Sequence, residues 1–250
     1  MGSSKRKMWG FINTKGEMVI APAYDGAGLF SEGLAWVKKD WARGYIDREG
    51  NEVIEPRFQA AGEFVDGLAC VMEDGQWGYI RHDGSYAIPA RYPKAGGFHD
   101  GLAWVKDGEL FGYLNTSGEW EIAPEFDGVE DFRNGKARVM LKGEWIYINT
   151  KGEKVSDPEE DAPHPLYHEG LAAWPEGDKI GYINEEGRFV IAAKYTEAGP
   201  FKEGWARVCT GDGARARWSF IDREGKPMGK DKYYGAEDFS EGLARVLVAE

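Results

Sequence analysis

An all-β tandem-repeat fold is what this sequence predicts, on three observations. A motif close to Phe-x-Glu-Gly-Leu-Ala-x-Val recurs with its glycine at Gly33, Gly67, Gly101, Gly135, Gly170, Gly204 and Gly242, every 34 residues, stretched to 35 once and to 38 before the last copy. A second motif keeps the same beat at Trp9-Gly10, Arg43-Gly44, Trp77-Gly78, Phe111-Gly112, Trp145-Ile146, Ile180-Gly181 and Trp218-Ser219. Turn residues fall at fixed offsets between the two. One supersecondary unit in seven copies marks a chain whose units bury their apolar faces against their neighbours.

Each element of the unit follows from its residues. Gly44-Tyr45-Ile46 followed by Val53-Ile54 across a four-residue turn reads as a β-hairpin. Asn13, Asp47, Asn115, Asn149, Asn184 and Asp222 open that turn, where a short side-chain oxygen can accept backbone N–H groups two residues on; Arg81 is the exception. Gly16, Gly50, Gly84, Gly118, Gly152, Gly187 and Gly225 close it in the left-handed conformation. Pro22, Pro56, Pro89 and Pro124 are expected to end the second strand, since proline has no ladder N–H. The stretch from proline to Phe30, Phe64, Phe98, Phe132, Phe201 or Phe239 lacks alternation and reads as a loop or single helical turn. Gly-Leu-Ala-x-Val then supplies a third short strand. The unit is thus predicted as a three-stranded antiparallel meander with both faces apolar, one carrying Gly, Ile, Ala and Val and the other Trp, Tyr, Leu and the variable position x.

The repeat runs without a linker, which predicts a single repeat domain of seven units over 9–250 behind a flexible tail at 1–8. The chain opens on a Trp-Gly strand and closes on a Gly-Leu-Ala strand, so each end lacks what the other has. Pairing the two would hide both edges. A closed, propeller-like ring is therefore favoured, with an open β-solenoid as the alternative.

Composition narrows the function classes. A net charge of -12 argues against general nucleic-acid binding, which needs clustered cations. Lys5-Arg6-Lys7 reads as a solvated tail. Mean hydropathy is -0.54 and no run of 18 apolar residues occurs, so no membrane span is expected. Cys70 and Cys209 stand at non-equivalent repeat positions, which argues against a disulfide framework. With no apolar leader visible, a cytoplasmic location and a monomer are expected. Met1-Gly2-Ser3-Ser4 looks like an expression-vector start.

The motifs Trp77-Gly78-Tyr79-Ile80, Asp47-Arg48-Glu49-Gly50, Val53-Ile54-Glu55-Pro56 and Phe30-Ser31-Glu32-Gly33-Leu34-Ala35 resemble the WG (KWG) repeat family of bacterial proteins, over essentially the whole chain. The resemblance implies an all-β interaction module with no established catalytic residues. The chain departs from the pattern at Arg43, Phe111, Ile146, Ile180 and Ser219.

Candidate functional residues are those that break the repeat. The variable position holds Trp36, Cys70, Trp104, Arg138, Ala173, Arg207 and Arg245. Its tryptophans and arginines suit a recognition surface, or else fill gaps between units. The residues before the repeated glycine, Glu32, Asp66, Asp100, Asn134, Glu169, Glu203 and Glu241, are expected to accept local backbone hydrogen bonds, with a cation-binding ring as the alternative. His164 and His168 lie among acids and prolines in a divergent fifth unit, a weak metal motif set against a solvated loop. Arg215 and Arg217 follow Gly211-Asp212-Gly213 in an inserted loop that lacks the Gly-Lys-Ser/Thr ending of a phosphate loop. Neither Gly-x-Ser-x-Gly nor His-Glu-x-x-His occurs. These readings predict no cofactor and no enzyme activity. They predict a non-catalytic scaffold that binds a protein or peptide, with carbohydrate or cell-envelope binding as the alternative.

Overall fold

The structure, a computed structural model, describes residues 6–156 and 165–249. The described residues fall into two compact units. One draws on Met1–Phe30, Arg48–Gly50 and Ala162–Glu250, the other on Ser31–Asp47 and Asn51–Asp161. Both consist of repeated small antiparallel sheets of three or four strands, and no α-helix occurs among the described residues.

In the second unit the sheet Ala60–Val65, Leu68–Glu73, Gln76–Ile80, Tyr86–Tyr92 shows the complete pattern. Its first strand lies where the sequence predicts a loop, so the sheet is four-stranded rather than three-stranded. Shorter counterparts are Gly128–Val129 in this unit and Gly235–Ala236 in the other. In the first unit, Lys7–Asn13 pairs with Met18–Tyr24 on one side and with Leu243–Ala249 on the other, in unbroken register from Lys7↔Ala249 to Asn13↔Leu243. That strand takes in Lys7 and Met8, two residues of the expected tail, and Met8 is buried.

The predicted turns form with their predicted chemistry. The Asn13 side-chain oxygen accepts from Lys15 N and Glu17 N at 2.9 and 3.0 Å, and Gly16 has φ 79°. At the Arg81 exception the neighbouring Asp83 takes over, accepting from Ser85 N and Oγ; those bonds hold its carboxyl below the usual range. The Glu-Gly pairs form two-residue hairpins with both φ positive, as at Glu32 (53°) and Gly33 (82°).

The prolines do not end their strands. Pro22, Pro56, Pro89 and Pro124 sit inside seven-residue strands, within a register shift that leaves no ladder N–H missing. The shift bends the strand backbone over the motif glycine. A Cβ on Gly10 would lie 2.7 Å from Ile20 O, and one on Gly112 2.6 Å from Ile122 O. Glycine is required because main chain, not side chain, occupies the space. The bulged strand persists where Arg43, Phe111 or Ile180 replaces tryptophan and where Ala193 stands in place of proline. It is absent where Ser219 replaces glycine. There the partner makes only isolated bridges, at Pro227 and Tyr233.

The next motif residue anchors the core. Tyr45, Tyr79, Tyr113 and Tyr182 are wholly buried, and each hydroxyl donates to a carbonyl 17 residues on: Gly62, Gly96, Glu130 and Gly199, at 2.7–2.8 Å. Each ring meets the repeat's phenylalanine edge-on, centroids 4.8–5.0 Å apart. Each buried phenylalanine contributes roughly 1.5–3 kcal/mol by leaving water. These contacts fasten the segment preceding each phenylalanine, which carries the walls of the site described next.

Candidate interaction site

The variable position pairs across the hairpin with the motif tyrosine, as Trp36↔Tyr45 and Arg138↔Tyr147 show. It lies diagonally across from the first residue of the tryptophan-glycine motif. The two form complementary stacks: Arg43 over Trp36 at 5.2 Å, Arg138 over Trp145 at 4.8 Å, Arg207 over Trp218 at 5.1 Å and Arg245 over Trp9 at 5.0 Å. Trp104 meets Phe111 at 5.8 Å. Arginine and tryptophan thus exchange strands between the Trp36 repeat and the three repeats with Arg138, Arg207 and Arg245. The departure at Arg43 is the partner of Trp36, a pairing that was present in the sequence but needed the cross-strand register to be seen.

Several candidates are tied into the fold. The Arg207 guanidinium donates to Asp238 Oδ1 at 2.7 Å and to Ala236 O at 3.3 Å, and Arg245 lies 3.5 Å from Glu237. Arg217 donates to Ala214 O and Ala216 O and covers the Tyr234 ring, closing the inserted loop, while Arg215 is exposed in its short 3-10 turn. His168 is exposed, and His164 lies outside the described residues. Among the described residues no group of three or more His, Cys, Asp or Glu is placed to hold a metal ion. Cys70 and Cys209 are free and buried.

The acids before the repeated glycine do accept backbone hydrogen bonds, but not local ones. Gly67 N donates to Glu32, Gly101 N to Asp66, Gly135 N to Asp100 and Gly204 N to Glu169, each 35 residues apart, and Gly242 N donates to Glu203. Each of these carboxylates completes a turn in the following repeat.

Two predicted residues are brought together. Trp104 and Arg138 line one cavity of about 840 Å³, with Gly96, Gly97, Asp131 and Tyr147 among its other walls. Trp104 lies flat over Gly96, where any Cβ would run into the indole. Its Nε1 donates to Asp131 Oδ1 at 2.8 Å, and His99 Nε2 is 3.7 Å from the other oxygen of that carboxylate. Beneath, burial and then the Asp131 and Glu130 carboxylates push the Tyr113 hydroxyl up, so it stays a neutral donor. Tyr147 is only half-buried, unlike its four counterparts, and presents to the cavity. The sequence reading missed Asp131, Arg133, Lys136 and Tyr147. The doubled Gly96-Gly97 beneath a variable-position tryptophan was the available signal.

A family described as WG containing repeat matches residues 9–40, 44–77, 77–110, 111–145, 180–213 and 218–249. The chain belongs to the WG-repeat family. The unmatched stretch, 146–179, holds the repeat in which Ile146 replaces the motif glycine. No curated protein matches this WG-repeat chain. Among solved structures it is similar to a eukaryotic initiation factor, at 8% identity and TM-score 0.46 over 93% of this chain and 87% of that one. It is also similar to the putative TolB from Agrobacterium tumefaciens, at 10% identity and TM-score 0.39 over 100% and 99%. A third is a quinonprotein alcohol dehydrogenase-like protein from Bacteroides thetaiotaomicron, at 12% identity and TM-score 0.41 over 94% and 70%.

Proposed function

We propose that this WG-repeat chain is a non-catalytic interaction module that holds a peptide segment of a partner protein in the cavity lined by Trp104 and Arg138. The cavity carries the reading: about 840 Å³ walled by two aromatic rings and an arginine, within the size range of ligand sites and rich in residue types that dominate interface energies. The non-catalytic part rests on how the carboxylates are used, since the repeated acids Glu32, Asp66, Asp100, Glu169 and Glu203 hold turn N–H groups. A net charge of -12 supports a partner other than nucleic acid.

Selection of random dodecapeptides displayed on phage tests the reading. Peptides enriched on the wild-type protein and lost on Trp104→Ala are expected; enrichment that ignores Trp104 would remove the cavity from the function. A carbohydrate reading draws on Trp41, 72% exposed, and on the partly exposed Trp120, Trp145 and Trp174. Co-sedimentation with insoluble cell-wall material would favour it.

We also infer that seven units close into a propeller-like ring. The pairing of Leu243–Ala249 with Lys7–Asn13 supports this, as does the bond from Ser240 Oγ to Phe30 O, which repeats the Ser31 Oγ to Phe64 O bond of the next repeat. Small-angle scattering from the monomer would show a compact toroid; an elongated particle would mean an open array.

A further inference from the structure

Around this cavity the repeat breaks its own pattern in one direction. At the residue before the repeated glycine, six repeats carry a carboxylate and this one carries Asn134. At the residue after it, the others carry Leu34, Leu68, Leu102, Leu171, Trp205 and Leu243, and this one carries Lys136. Arg138 follows at the variable position, and Arg133 begins the same turn. One anion is removed and three cations stand together on the lining of a single cavity, in a chain of net charge -12. The equivalent arginines elsewhere are neutralised, Arg207 by Asp238 and Arg245 by Glu237. No carboxylate among the described residues lies within ion-pair distance of Arg133, Lys136 or Arg138. Of the two acids on the lining, Glu130 and Asp131, Asp131 is already engaged by Trp104 and His99.

Resting on the cavity reading above, we propose that the cavity selects an acidic peptide, its carboxylates taken by Arg133, Lys136 and Arg138 and an aromatic side chain lodged between Trp104 and Tyr147. The arginine fork accepts a carboxylate through two parallel N–H donors, and the aromatic walls supply burial that a small inorganic anion cannot use. A long polyanion would meet the negative charge of the whole chain beyond the cavity.

The test uses a fluorescein-labelled pentapeptide of four glutamates around one tyrosine, and its glutamine counterpart, followed by anisotropy on the full chain. The double variant Asn134→Glu/Lys136→Leu restores residues that other repeats carry at these sites, so folding is retained. Saturable binding of the glutamate peptide is expected, weakened at least about tenfold by the double variant and by Arg138→Glu, and falling with salt. Lys151→Glu, on an exposed turn outside the cavity lining, should leave it unchanged. Equal binding of the glutamine peptide, lost in Trp104→Ala, would overturn the charge selection while leaving the peptide cavity standing. Binding of neither peptide would overturn the proposal, and the phage selection then decides the cavity reading separately. Displacement by a heparin oligosaccharide whose binding ignores Trp104 would assign the cations to an anionic glycan instead.

Discussion

The hairpin after Phe111-Gly112 and the hairpin after Trp218-Ser219 differ at the motif glycine, and the partner strand differs with it. With glycine, the partner strand Trp120–Phe126 runs seven residues and bends its main chain into the space a side chain would fill. With serine, the partner makes only isolated bridges, at Pro227 and Tyr233. Of the two residues that name the family, the glycine sets the architecture. The tryptophan is one member of an exchangeable stack.

The largest expected effect breaks this comparison directly. Gly112→Ala should cost about 3 kcal/mol or more, because the new methyl meets backbone that cannot rotate away. Ser219→Gly should cost only about 1 kcal/mol, the ordinary penalty of glycine in a strand. Urea unfolding of both variants measures the difference, and equal losses would show that the bulge does not depend on the glycine.

An alkaline limb comes next. Burial pushes the Cys70 thiol up to about 12, partly offset by the Tyr79 hydrogen bond, and burial likewise raises the hydroxyls of Tyr45, Tyr79, Tyr113 and Tyr182. Acids whose folded values lie above their unfolded ones hold more protons when folded, so their contribution is intact below the unfolded values. It is lost as pH rises, from about 8.5 for the thiol and about 10 for the tyrosines upward. Thermal midpoints should therefore fall steeply above about pH 9, and ionisation of these tyrosines at 295 nm should coincide with unfolding. Gradual tyrosine ionisation in a folded chain would contradict the burial.

The smallest effect concerns the stacks. Trp36→Arg and Arg43→Trp should each cost about 0.5–1 kcal/mol, and the double exchange should recover most of that, since other repeats already carry it in that orientation. Additive losses would mean that the pair does not couple.

Much of the architecture was legible because its causes are local. The asparagine turns and closing glycines act within five residues, and the period shows itself seven times. What was not legible depends on neighbours outside the reading window. Pro89 ends a strand only if its ladder N–H is needed, and the bulge over Gly78 removes that need. Ala60–Val65 has no alternation to announce a strand, because its register with Leu68–Glu73 slips between Ala61 and Phe64. Glu32 was read as a local acceptor although its donor, Gly67 N, lies in the next repeat. For the candidate site, composition flagged Trp104 and Arg138. The doubled Gly96-Gly97 was a visible signal, but only the folded register sets it and Tyr147 beside them.

The carboxylate bonds between turns also give the chain a direction. In these pairs the acceptor precedes its donor, Glu32 before Gly67 and Glu169 before Gly204 by 35 residues, and Glu203 before Gly242 by 39. During synthesis the acid leaves the ribosome first and waits for the glycine it will hold. Each of these hairpins is completed against one already made, so assembly can advance with translation.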